Sequence, residues 1–120
     1  MKIKELITDA LLMMGKFSAD DEYPAYLERG HATVKHWIYS IKWLYDLYAR
    51  SNSIEPAEIG ALGLDDKFPY DTTFASMAAM FTCAVLCPEV IRYKEIYDDM
   101  SNHVRILCSS EITSTVSRYA

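Results

Sequence analysis

The stretch His36–Tyr48, HWIYSIKWLYDLY, holds two tryptophans and three tyrosines in thirteen residues. On a wheel of 100° per residue, Val34, Trp37, Ile38, Ile41, Leu44, Tyr45 and Tyr48 share one broad face. His36, Tyr39, Trp43 and Leu47 lie almost opposite, at steps of three and four. Lys35, Lys42 and Asp46 occupy one flank between them, and Ser40 the other. The segment is therefore a helix with two apolar stripes. A small helical domain readily buries one of them, and the other needs a covering.

Aromatic side chains bury roughly 150–250 Å² each, so the second stripe could present on the order of 500 Å². That is near the upper size of an apolar patch on a monomer, where patches mark contact sites. Covering it is worth on the order of 10 kcal/mol gross at about 25 cal/mol per Å², before association entropy is subtracted. Two coverings are open. One is a neighbouring subunit. The other is the 51–70 connection folding back over Tyr39, Trp43 and Leu47 with its own Ile59, Leu62 and Phe68. Periodicity alone does not choose between them.

Working outward, the segment belongs to a helix predicted over about Pro24–Arg50, with Gly30 as a point where it could kink. Upstream, Ile3, Leu6, Ile7, Ala10, Leu11 and Met14 predict a first helix closed by Gly15. Downstream, residues 51–70 form a long connection with four Pro and Gly residues but also Ile54, Ile59, Leu62, Leu64 and Phe68. It is expected to lie on something, with a helical turn near Ala57–Leu62. Asp71, Thr72 or Thr73 caps the next helix, whose expected inner face is Phe74, Met77, Ala78, Phe81 and Val85. After Pro88, the residues Val90, Tyr93, Tyr97, Met100, Val104 and Leu107 form the stripe of a last long helix. From Ser109 the composition turns to Ser, Thr and β-branched residues, which favours extended structure. The expected fold is all-α: a compact bundle of about four helices over 1–108, then an extended C-terminal tail over 109–120.

With 120 residues, half of them apolar, one core is affordable. Twelve basic residues against seventeen acidic give a net charge of −5, and the basic residues are scattered, which disfavours direct nucleic-acid readout. Lys35 and Lys42 interleave with aromatics, but Asp46 shares their flank, so a base-stacking platform is also disfavoured. No apolar run approaches the roughly 20 residues of a membrane span. Met1–Gly15 is amphipathic rather than signal-like, and three cysteines are an odd number, so free thiols in a reducing compartment are expected.

The search for chemistry finds little. Cys83, Cys87, His103 and Cys108 could be imagined around zinc, but the spacing is not that of a zinc knuckle, and small buried thiols explain it better. The pairs Asp20-Asp21, Asp65-Asp66 and Asp98-Asp99 suit caps and solvated turns. His31 and His36 have no partnered nucleophile, and four glycines make no phosphate loop. No catalytic residue, metal or cofactor is expected, and the protein is read as a non-enzyme.

The order of parts carries a resemblance. A short helix, IKELITDALLMMG, leads through a loop to a Trp-containing helix. An apolar connection follows, then FPYDTTFASMAAMFTCAVLCPEVI and a closing amphipathic helix. This resembles the small head-tail connector (adaptor, or head-completion) proteins of tailed bacteriophages over most of residues 1–108. Shared features are the Ile-x-x-Leu-Ile opening ending at Gly15, and the Pro69-Tyr70-Asp71 entry into an Ala-rich helix closed near Pro88. The aromatic load of the second helix and the length of 51–70 depart from it.

The resemblance implies a virion protein at the head–tail interface, made in the host cytoplasm. It implies a ring, commonly of twelve copies, that meets the portal protein and the tail or a further adaptor and passes DNA without reading it. It also implies that the tail reaches the portal or a neighbour, a role falling to Ile112, Thr113, Thr115, Val116, Arg118 and Tyr119. The subunit interface is expected at His36, Tyr39, Trp43 and Leu47, with the 51–70 connection, through Ile59, Leu62 and Phe68, as the complementary patch or as the tail-facing surface. The alternative is a small helical homodimeric regulator or inhibitor using the same stripe.

Overall fold

In a computed structural model of the chain, the backbone is described for residues 1–49 and 55–119, and side chains for 1–46 and 55–107. Five helices follow in order: α1 (Ile3–Met13), α2 (Tyr23–Ala49), the short α3 (Pro56–Ala61), α4 (Thr72–Leu86) and α5 (Ile91–Tyr119). No strand occurs among the described residues, and one isolated antiparallel bridge joins Lys2 to Lys67. The fold is all-α, as composition and periodicity predict.

Local chemistry sets the helix ends. Gly15 takes φ +77, a conformation that costs a glycine little. The Gly15 N–H then reaches the Leu12 carbonyl at 3.0 Å and the Lys16 N–H the Leu11 carbonyl at 2.8 Å, a Schellman stop for α1. Asp71 caps α4 by accepting from the Phe74 N–H at 3.2 Å. Glu55 and Glu58 form a reciprocal capping box at α3, with Pro56 in its first turn.

The start of α1 has no side-chain cap. The long connection supplies one instead. The Ile3 and Lys4 N–H groups donate to the carbonyls of Asp66 and Leu64 at 2.9 and 2.8 Å, and the Phe68 N–H donates to the Met1 carbonyl at 2.8 Å. Two of the orphan donors of a helix start are thereby satisfied by backbone far away in sequence.

Helix α4 is apolar nearly all round, and it sits at the centre, packed on α1, α2 and α5. The core joins Ile3, Leu6, Ile7 and Leu11 of α1 to Val34, Trp37, Ile38, Ile41 and Leu44 of α2, and to Phe74, Met77 and Ala78 of α4. α5 adds Val104, with Tyr97 and Met100 packed partly against the cluster. Gly30 does not kink α2. A Cβ at that position would lie 2.7 Å from Ile7 Cγ2, so the missing side chain is what lets α1 lie close against α2.

Ile59 and Phe68 of the connection are buried in this same core. The Phe68 ring stacks 6.4 Å from Trp37, and Tyr70 lies 4.0 Å from Tyr45 and 5.9 Å from Phe74. The connection thus packs on the inner face of α2, and the alternative that it folds over the outer one is overturned. Its Ile59 and Phe68 side chains fill the protomer's own core, so they are not surface patches for a neighbour.

The C-terminal tail continues α5 as helix to Tyr119, where its composition favours strand. β-branched residues cost only tenths of a kcal/mol each in a helix, and extending a formed helix avoids the cost of nucleation. The molecule is elongated. Its radius of gyration is 15.9 Å, against about 14 Å for a compact chain of this length. Long α2 and α5 account for the difference.

Candidate interaction surface

The two stripes of α2 have opposite fates. Trp37 is 1 % exposed, and its Nε1–H donates to the Tyr97 hydroxyl at 3.0 Å, tying α2 to α5. Burial of an indole is favourable when its one donor finds a partner, and this one does. Six residues on, Trp43 is 57 % exposed and Tyr39 59 %. His36 beside them is exposed as well, so three of the four outer-stripe positions are open to solvent. The side chain of Leu47, the fourth, lies outside the described residues, as do those of the tail positions Ile112, Thr113, Thr115, Val116, Arg118 and Tyr119.

Helix α5 borders this ridge. The Arg105 guanidinium stands 5.7 Å from the centre of the Trp43 ring, a cation–π contact that leaves one ring face for another partner. Ile106 and Leu107 follow on α5, and both are exposed. On the flank of α2, Lys42 and Asp46 pair at 2.6 Å and neutralise one another.

Leu62, the third residue expected in the complementary patch, is half-buried, and its carbonyl accepts from His31 Nε2 at 3.0 Å. It anchors the connection to α2 rather than offering a ridge.

A second apolar surface was not read from the sequence. At the corner where α4 meets α5, Val85, Val90 and Ile91 are exposed. Val85 was expected on the inner face of its helix, and Val90 on the inner stripe of the last one. α4 is apolar on every side, so periodicity there gives no inward direction. Val85 and Val90 edge a groove of about 290 Å³ that Phe81, Pro88, Lys94 and Asp98 also line. The Phe81 and Tyr97 rings, 5.2 Å apart, brace its side. A cleft of about 350 Å³ also lies between α1, residues 67–72 and α4, but its Asp71 carboxylate is committed to capping α4.

Cys83 is buried, with its thiol directed at the Ala10 carbonyl at 3.5 Å. Burial pushes its pKa up to about 11, which suppresses the thiolate that nucleophilic or metal chemistry requires. Burial raises Cys87 as well. His103 is exposed, and among the described residues no three His, Cys, Asp or Glu side chains group closely enough to hold a metal; the Cys108 side chain lies outside them. Asp20 accepts from the Phe17 N–H at 3.0 Å and Asp66 from the Gly63 N–H at 2.6 Å, so each serves its own turn. Among the described residues, no helix is long and apolar enough to cross a membrane.

No family model, curated protein or solved structure matches the chain.

Proposed function

We propose that this chain is a structural subunit that assembles into a ring at the head–tail junction of a tailed bacteriophage, between portal and tail. One observation carries the reading: Trp43 and Tyr39 stand in solvent on a helix whose other face is core. A lone copy leaves two large aromatics uncovered, and such ridges belong at protein contacts. The resemblance in the order of helices supplies the setting. The net charge of −5 suits a channel that DNA traverses without adhering, because few phosphate contacts form. In this role the tail positions Ile112, Thr113, Thr115, Val116, Arg118 and Tyr119 reach the portal or a neighbouring subunit.

Sedimentation velocity and electron microscopy of the chain, alone and co-expressed with a portal protein, test the reading. A closed ring of more than two copies, free or seated on the portal, is expected. A tight dimer that grows no further and ignores the portal would favour the homodimeric regulator instead.

A further inference from the structure

We propose that the cleft between α1, residues 67–72 and α4 binds a small zwitterion with an apolar body, an aromatic or aliphatic α-amino acid. This site stands apart from the ring reading: loss of either leaves the other.

The cleft is built before any ligand arrives. Bonds from the Ile3 and Lys4 N–H groups to the Asp66 and Leu64 carbonyls hold the start of α1 to the connection, and the Asp71 cap fixes the start of α4 beside it. Further along, the Cys83 thiol of α4 meets the Ala10 carbonyl of α1. The two helices therefore run side by side in one direction. Between them α4 presents Ala75, Ser76 and Ala79, and side chains this small leave about 350 Å³ open. Leu6 and Phe68, both buried, close the floor. The result is a preformed pocket with an apolar base, at the lower end of the size of ligand sites.

The two ends of the cleft differ in charge. Lys67 stands at one end, where its backbone bridges Lys2. Asp9 stands at the other, seven residues beyond Lys2 and so about 10 Å along the axis of α1. Both side chains are exposed, and among the described residues neither is in an ion pair. Asp71 is also at the Lys67 end, but its Oδ1 is held by the Phe74 N–H at 3.2 Å, against the positive end of the α4 dipole. A cationic end, an anionic end and an apolar floor between them complement a carboxylate, an ammonium and an apolar side chain carried by one molecule. The Thr72 and Ser76 hydroxyls on the α4 wall can bond either charged group. A ligand with one charge leaves the opposite end of the cleft unmatched.

NMR titration of the full chain with L-phenylalanine and with L-leucine tests this. Saturable shifts confined to residues lining the cleft are expected, with a Kd of about 2 mM for a ligand of about twelve heavy atoms at ordinary efficiency. Phenylalanine methyl ester keeps the ammonium and loses the carboxylate; N-acetylphenylalanine does the reverse. At about pH 6, where the free amines are protonated, each should bind about fivefold more weakly, the upper value of an exposed ion pair. Lys67→Met should weaken phenylalanine by the same factor and leave the ester unchanged. Asp9→Asn should weaken phenylalanine and leave the N-acetyl form unchanged. Both positions are exposed, and melting curves matching wild type verify folding. Ser76→Phe, which fills the slot from an exposed position, should abolish binding of every probe. Absence of saturable shifts with either amino acid at about 20 mM, ten times the expected Kd, overturns the proposal. Equal affinities for the three phenylalanine forms overturn it too, because they mark an apolar crevice without charge selection, as do shifts that persist in Ser76→Phe.

Discussion

Trp37 and Trp43 sit six residues apart on one helix, yet one is sealed and hydrogen-bonded while the other lies in water. Residue type does not separate them. The inner stripe meets four other elements: α1, the 55–70 segment, α4 and α5. The outer stripe meets Arg105 of α5, at the Trp43 ring, and otherwise stands in solvent at His36, Tyr39 and Trp43. Burial follows from what the rest of the chain brings to each side. The same helix that organises the core of one copy carries an outer ridge whose Tyr39 and Trp43 stay more than half exposed.

The comparison can be broken most sharply at the inner face. Trp37→Ala should destabilise the monomer by about 3–5 kcal/mol in urea unfolding, because a large cavity opens and Tyr97 loses its partner. A loss below about 1 kcal/mol would mean that Trp37 does not organise the core. Gly30→Ala comes next. Alanine normally favours a helix over glycine by about 1 kcal/mol. Here the new methyl would press on Ile7, whose branched side chain is buried and stiff. Overpacking costs about 1–3 kcal/mol, so a net loss of about 1 kcal/mol is expected; a stabilised variant would show that α1 and α2 do not approach so closely. At the outer face, Trp43→Ala should change monomer stability by less than about 1 kcal/mol, the scale of its cation–π contact. If it unfolds the monomer as badly as Trp37→Ala, the two faces are not different in kind.

The smallest effect is a slope in alkali. Folded Cys83 keeps its proton up to about pH 11, whereas an unfolded thiol releases it near pH 8.5. The unfolded state then binds fewer protons across that window, so stability falls as pH rises through it and is unaffected below it. Melting temperatures of wild type and Cys83→Ala should converge between pH 9 and 11. Parallel curves would show that this thiol adds nothing to the slope.

The elements were legible because their signals are local. Spacing of three and four marked α1, α2 and α5, Gly15 marked a stop, and Asp71 marked a start. The division of α2 into two stripes was equally plain, since angular position is intrinsic to a helix. The path of the 51–70 connection was not legible: Ile59 and Phe68 follow no period, and their destination depends on space left between other helices. The same is true of the α4–α5 groove, because α4 is apolar on every side and carries no inward direction of its own.

From its order of residues alone, this chain determined that it would be helical, where α1 stops and α4 starts, and that its second helix would carry more apolar surface than one side can use. Those properties arise from contacts within a few residues. Only the tertiary structure decided which stripe is covered, that Gly30 is a contact rather than a kink, and that the connection caps α1 from 60 residues away. Each of those depends on which distant segments compete for the same volume, and that competition is resolved only when the helices pack.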